Sequence, residues 1–234
     1  MSTEALFRID LPHGRCVGIR VPATGNVILS ESLPSEEQAY LETVGPARKA
    51  TFLAGRVALR EALRDLGVEA PAILPDKRGA PDLRGLATGS ISHKQTLAVG
   101  LAAPAQGGLS VGVDIEPVPT PNPAPGEPGW DRRPDISKRV MTPRELQALM
   151  TLPECQRRRA ILLCFSIKEA LYKAINPLIR RYVSFQEAIV IPALDGSVDL
   201  TLALAKGGGP FVAEARWSEI AGHFLTTARV RPVG

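Results

Sequence analysis

Residues Ser110–Val118 read SVGVDIEPV, an apolar run interrupted by Asp114 and Glu116. Successive side chains of a strand point to opposite faces, so Asp114 and Glu116 share one face while Val113 and Ile115 share the other. Two carboxylates that close repel each other and, where partly desolvated, raise each other's pKa; the arrangement is unfavourable unless a cation lies between them. A solvated strand end is the plainer explanation, and these nine residues do not choose between the two.

Immediately after this stretch the segment PVPTPNPAPGEPGWDRRPD, 117–135, carries prolines at 117, 119, 121, 123, 125, 128 and 134. Such a run holds neither a helix nor an interior strand and reads as an extended connection. It divides the chain into two comparable parts, 1–118 and 119–234. Strands are expected over 15–30, 90–103, 109–116, 187–192, 198–205 and 211–216, and helices over 46–66, 142–151 and 155–175. Strands and helices mixed without strict alternation predict an α/β or α+β fold, not a sandwich or a bundle.

At 234 residues the chain is long enough to bury a real core, and 44% hydrophobic residues without a bilayer-length apolar run read as soluble and globular. The opening residues lack a basic flank followed by a continuous apolar stretch, so no secretory signal is expected. Cys16, Cys155 and Cys164 are odd in number and without metal-ligand spacing, which predicts reduced thiols and a cytoplasmic setting. Net charge is +4, from 28 Lys and Arg against 24 Asp and Glu. That small excess permits an acidic partner or a phosphorylated ligand. With 5% aromatic residues and no basic block, a nucleic-acid surface is not expected, nor is a membrane partner.

Three further places put charge on an apolar face. In PARKATFLAGRVALREALRDLG, 46–67, the stripe Phe52, Leu59, Leu63 and Leu66 contains Arg56, with Arg48 near its edge. An arginine stem lying along apolar surface explains this; so does a guanidinium held in a cleft for phosphate. In RRRAILLCFSIKEALYKAINP, 157–177, Ile161, Leu162, Phe165 and Tyr172 form a stripe from which Glu169 projects, with Lys168 and Lys173 at its margins. A buried carboxylate must be paired or bound to a metal, and Glu169–Lys173 is spaced as a helical ion pair. In GSISHKQTLAVG, 89–100, Ser90, Ser92 and Lys94 alternate on one face, with His93 on the other or at the strand end. No serine or cysteine stands in a nucleophile-elbow context. Asp114, Glu116 and Glu169 offer only oxygen ligands, which suit Mg²⁺, and Mg²⁺ completes its shell with waters and ligand phosphates. With Arg48, Arg56, Lys77, Arg78, His93 and Lys173 available to phosphate, the sum is a Mg²⁺–diphosphate site.

The pair VGVDIE and, some fifty residues later, FSIKEALYK resembles the signature of the Sfp-type 4′-phosphopantetheinyl transferases; FLAGRVALREAL with GSISH resembles their enterobactin-synthase-associated subgroup. The resemblance covers about residues 48–190. It implies two similar halves with pseudo-twofold symmetry and coenzyme A between them. It also implies transfer of the 4′-phosphopantetheine arm of coenzyme A to a serine of an acyl or peptidyl carrier protein, releasing adenosine 3′,5′-bisphosphate. Asp114, Glu116 and Glu169 would hold Mg²⁺, with Mn²⁺ as the alternative ion. Lys173 would stabilise developing charge, Glu169 would also accept the serine proton, and Arg48, Arg56, Lys77, Arg78, Ser92 and His93 would grip coenzyme A. Phe165 stands where many members of the family have tryptophan. The loop KAINPLIRRYVSF, 173–185, with Arg180 and Arg181 beside Leu178, Ile179 and Tyr182, is the expected carrier contact. Carriers of fatty-acid, polyketide, nonribosomal-peptide or siderophore synthesis all fit, and the family form implies a monomer. Two other readings stay open: a non-catalytic coenzyme A-binding module and a Mg²⁺-dependent diphosphate hydrolase.

Overall fold

The computed structural model describes residues 4–22, 33–119, 135–205 and 208–233. Strands β1 (Phe7–Leu11), β2 (Gly14–Arg20), β3 (Ala87–His93) and β4 (Leu97–Pro104) form one sheet in the order β1-β2-β4-β3, every pair antiparallel. Helices α1 (Ser35–Thr43) and α2 (Pro46–Asp65) belong with it. Of the apolar stripe expected on α2, Leu59 and Leu63 are buried in one cluster with Val17, Ile19, Ala98 and Ala102 of the sheet, and Leu66 packs on its edge; Phe52 is only half-buried, and Leu53 and Val57 complete the buried face instead. Gly67, at φ 72°, stops the helix, and the Val68 amide turns back to the Leu63 carbonyl.

The second sheet has the order β5-β9-β8, built from β5 (Ser110–Pro117), β8 (Phe211–Ile220) and β9 (His223–Pro232). A separate antiparallel pair, β6 (Ala188–Pro192) and β7 (Val198–Leu202), lies between them in sequence. Short helices α3 (Ser137–Val140) and α4 (Pro143–Leu149) precede the long α5 (Glu154–Ile179). Leu163, Ile167, Leu171 and Ile175 of α5 share a core cluster with Phe224 and Ala228 of β9. All the strand pairs are antiparallel, so of the two expected classes the fold is α+β.

The first sheet with α1 and α2 makes one half of the molecule and the second sheet with α5 the other, and the two halves repeat one packing device. Where α2 crosses β4, a Cβ on Gly100 would lie 2.2 Å from the Leu59 amide nitrogen. Where α5 crosses β5, a Cβ on Gly112 would lie 1.9 Å from the Ala170 carbonyl oxygen. In each half, backbone touches backbone because the strand offers no side chain there.

The halves meet along β3 and β5 through side chains. Thr88 Oγ1, Ser90 Oγ and Ser92 Oγ accept from the backbone N–H groups of Val111, Val113 and Ile115 at 3.2, 3.1 and 3.3 Å. Both series advance by two residues, so the strands run side by side in parallel, bridged by every second hydroxyl.

Several expectations need correction. The strand expected over 90–103 is two strands, turned at 94–96. That expected over 15–30 ends at Arg20 as far as it is described, residues 23–32 lying outside the described residues. β1, α1 and β9 were not expected. β9 was hidden because its hairpin turns on Ala221 and Gly222, at φ 49° and 72°; alanine in the left-handed region is not a turn signal. The division at 118/119 falls at the edge of the proline-rich segment, of which 120–134 lies outside the described residues. β5, on its N-terminal side, is hydrogen-bonded to β9. Among the described residues no helix is long and apolar enough to cross a membrane.

His13, in the turn between β1 and β2, is buried, with Nδ1 2.9 Å from Thr227 Oγ1 of β9 and Nε2 without a partner. Burial first, then Arg229, lowers its pKa from 6.5 to about 4. A histidine whose folded pKa is depressed binds its proton earlier in the unfolded chain. Its stabilising effect is therefore complete above the unfolded pKa and is lost as pH falls toward 4. We expect about 3 kcal/mol of stability to disappear across that window. Denaturant unfolding at a series of pH values should show this slope in the wild type, and His13→Gln should flatten it.

Candidate active site

Asp114 is buried at 5% exposure and held from three sides. Its Oδ1 accepts from Ser92 Oγ and Lys173 Nζ, both at 2.8 Å, and its Oδ2 from Ser166 Oγ at 2.9 Å. Ser92 comes from β3, while Ser166 and Lys173 come from α5. Lys173 Nζ also donates to the Val113 carbonyl at 2.9 Å. Glu116, likewise 5% exposed, pairs with Lys94. The cations that the paired carboxylates demand are thus Lys173 and Lys94. The ion pair Glu169–Lys173 does not form, because Lys173 is turned to Asp114 instead.

Glu169 is half-buried, and among the described residues its carboxylate makes no hydrogen bond. Burial raises its pKa, and the nearby charge of Asp114 raises it further; Lys173 and Lys94 oppose both. Glu169, Tyr172, Lys173 and Asn176 line a cleft of about 890 Å³ between the halves, whose other wall carries Arg48, Arg56, Arg78 and His93. Arg84 adds another positive charge and Asp82 a negative one.

Arg56 is 5% exposed, with its guanidinium 4.7 Å from the Phe52 ring centroid. Among the described residues it has no ion pair, and its Nε is buried without a partner. Burial pulls its pKa down, against the pull of Glu37. A cation in that state is suited to an anionic ligand. His93 is held below its ordinary pKa by burial and then by the charges of Arg48, Lys173 and Lys94. Arg78 spans the cleft, donating from Nη1 to Asn176 Oδ1 at 2.7 Å.

The structure therefore brings Arg48, Arg56, Arg78, His93, Glu169 and Lys173 to one cleft, with Asp114 and Glu116 behind it on β5. Lys77 is exposed and does not line it, and the Ser92 hydroxyl is engaged with Asp114 and Ile115. Lys94, Ser166 and Asn176 were missed. The alternation of Ser90, Ser92 and Lys94 along one face was the signal for Lys94; Ser166 and Asn176 gave none, since each meets its partner only in the tertiary fold. In the loop after α5, Arg181 is committed to Glu187, whose carboxyl it helps hold down to about 2. The exposed charge there rests on Arg180, beside Tyr182. The thiols of Cys16 and Cys164 are buried and pushed up to about 12, which makes both unreactive.

Among the described residues no three carboxylate, histidine or thiol groups are drawn together at metal-ligand spacing. The chemistry of the donors nevertheless fits a hard ion. Glu169 is a carboxylate without a hydrogen-bond partner among the described residues, raised by burial and then by the charge of Asp114, and a cation near it would favour its ionised form. Mg²⁺ is ordinarily bound by one or two carboxylates and completed by substrate phosphates.

Comparison with known proteins gives the family. Residues 36–103 match the model for the 4′-phosphopantetheinyl transferase N-terminal domain, and residues 110–227 that for the 4′-phosphopantetheinyl transferase superfamily. The 4′-phosphopantetheinyl transferase Svp of Streptomyces mobaraensis is 31% identical over 207 residues, 83% of this chain and 77% of its own length. The 4′-phosphopantetheinyl transferase Npt of Nocardia iowensis is 31% identical over 183 residues, 77% of this chain and 73% of its own. Enterobactin synthase component D of Salmonella typhi is 32% identical over 159 residues, 67% of this chain and 56% of its own. Among solved structures, the Chronobacterium ammoniagenes ACPS-CoA complex aligns with a TM-score of 0.39 and 23% identity, over 54% of this chain and 98% of that one. The chain belongs to the 4′-phosphopantetheinyl transferase superfamily and is an enzyme that transfers phosphopantetheine to carrier proteins.

Proposed function

We propose that this enzyme takes the arm from coenzyme A in a Mg²⁺-dependent reaction, modifying a carrier serine and releasing adenosine 3′,5′-bisphosphate. The observation that carries this reading is the polarity of the cleft. Arginines with no carboxylate partner among the described residues line one wall, and Glu169 and Lys173, backed by Asp114 and Glu116, line the other. An elongated anion with a diphosphate matches that order. Arg48, Arg56, Arg78 and His93 bind its phosphates and nucleotide. Asp114, Glu116 and Glu169 would hold the ion, which when bound neutralises charge on the diphosphate.

The chain's own residues then act on the serine and the leaving group. The carrier serine oxygen bonds to the phosphorus bearing pantetheine, and the bond from that phosphorus to the bridging oxygen breaks, leaving its electron pair on adenosine 3′,5′-bisphosphate. Lys173, fixed by Asp114 and the Val113 carbonyl, presents its ammonium to the charge that builds there. Glu169, whose carboxylate makes no hydrogen bond among the described residues, accepts the serine proton.

Intact-protein mass of an apo carrier incubated with enzyme, coenzyme A and Mg²⁺, beside an EDTA control, tests this. A Mg²⁺-dependent gain of one phosphopantetheine is expected. Coenzyme A consumed with the carrier unchanged would point to a hydrolase, and coenzyme A bound without turnover to a binding module.

A further inference from the structure

We infer that Ser92 and Ser166 are positioning residues that brace Asp114 from the two halves of the molecule, and that Ser92 does not contact coenzyme A. This rests on the metal reading above. Each oxygen of the Asp114 carboxylate receives a serine hydroxyl: Oδ1 from Ser92 at 2.8 Å, Oδ2 from Ser166 at 2.9 Å. Ser92 belongs to β3 of the first sheet, whereas Ser166 belongs to α5, which packs on the second. Both serines are buried, at 6% and 0% exposure, and neither lines the cleft.

Their hydrogen-bonding capacity is spoken for. Ser92 Oγ accepts from the Ile115 amide at 3.3 Å, so its one proton is left for Asp114. Thr226 Oγ1, which has one proton to give, lies 2.9 Å from both Ser166 Oγ and the Ser166 carbonyl, so whichever of the two receives it, the proton of Ser166 is left for Asp114. Thr226 sits opposite Asp114 in the β5–β9 register. The carboxylate is therefore fixed in one rotamer by donors from both sides of the joint, and its orientation depends on the halves being docked. Partners that orient a ligating carboxylate govern metal affinity, and their loss costs about 10- to 100-fold.

The test separates metal affinity from coenzyme A affinity. Mn²⁺ binding is read from the free-ion electron paramagnetic resonance signal, with coenzyme A present and no carrier. Coenzyme A binding is read calorimetrically in EDTA. Ser92→Ala and Ser166→Ala should each weaken Mn²⁺ about 10-fold and leave metal-free coenzyme A affinity unchanged, and Ser92→Thr, which keeps the hydroxyl, should restore the ion. Unchanged Mn²⁺ affinity in both alanine variants overturns the inference, as does a loss of metal-free coenzyme A affinity in Ser92→Ala. Should Ser92→Ala fail to fold, Ser166→Ala and Ser92→Thr decide it. Wild-type Mn²⁺ binding that Asp114→Ala leaves intact would sink the metal reading itself and this inference with it. Dependence on Asp114 without dependence on either serine would sink the inference alone.

Discussion

Glu169→Gln is expected to lower kcat for phosphopantetheine transfer by about 10³-fold while leaving the fold intact. The side chain keeps its shape, and among the described residues no hydrogen bond to it is lost. What disappears is the charge and basicity of a carboxylate held beside Asp114 and Glu116. Both proposed roles, proton acceptor and oxygen ligand, need that charge. Because burial first, and then the charge of Asp114, disfavours the ionised form of Glu169 in the metal-free protein, neutralising it should leave the thermal midpoint unchanged or slightly raised. Single-turnover kinetics at saturating coenzyme A and Mg²⁺, beside a thermal melt, would check both halves of the expectation. A variant within about tenfold of wild type would remove Glu169 from the chemistry.

Gly112→Ala should be strongly damaging. Its Cβ would sit 1.9 Å from the Ala170 carbonyl oxygen and 2.7 Å from the Ala174 amide nitrogen. Both are backbone atoms of α5 and cannot swing aside as a flexible side chain would. The helix has to lift from β5, opening the core around Ile167 and Leu171, at a cost of about 3 kcal/mol or more. Gly45→Ala, where a Cβ meets nothing within 4 Å, is the control and should change stability by no more than about 0.5 kcal/mol. Equal denaturation midpoints for the two variants would contradict this account of the helix crossing.

How far the sequence disclosed this arrangement depended on whether a feature is local. The stripe of α2, with Arg56 inside it, and the shared face of Asp114 and Glu116 follow from periodicity alone. So did the demand for cations near that face. Their identity did not: Lys173 looks like a partner for Glu169 along one helix, yet it turns to a strand that folds against it. Ser166 sits inside the apolar stretch 160–167 of its helix and reads as a small filler until Asp114, 52 residues away, is seen beside it. β9 escaped because its turn rests on an alanine in a conformation that glycine or asparagine normally takes. Motif spacing, by contrast, identified the family, since VGVDIE and FSIKEALYK in that order carry the resemblance whatever the intervening loop does.

The pairing of β5 with β9 has a kinetic consequence. Asp114 and Thr226 face each other across that ladder although 112 residues separate them. The β1–β2, β3–β4 and β8–β9 hairpins close over a few residues and form fast, whereas joining β5 to β9 must first close a loop of that size. The β2–β4 pairing of the first sheet closes a shorter loop, so on loop length the strand that bears the acidic pair is expected to be recruited last. A folding intermediate with a consolidated first sheet and a docked α2 would be native-like over much of the chain and catalytically silent, and the gain of activity on refolding would report the last long-range closure.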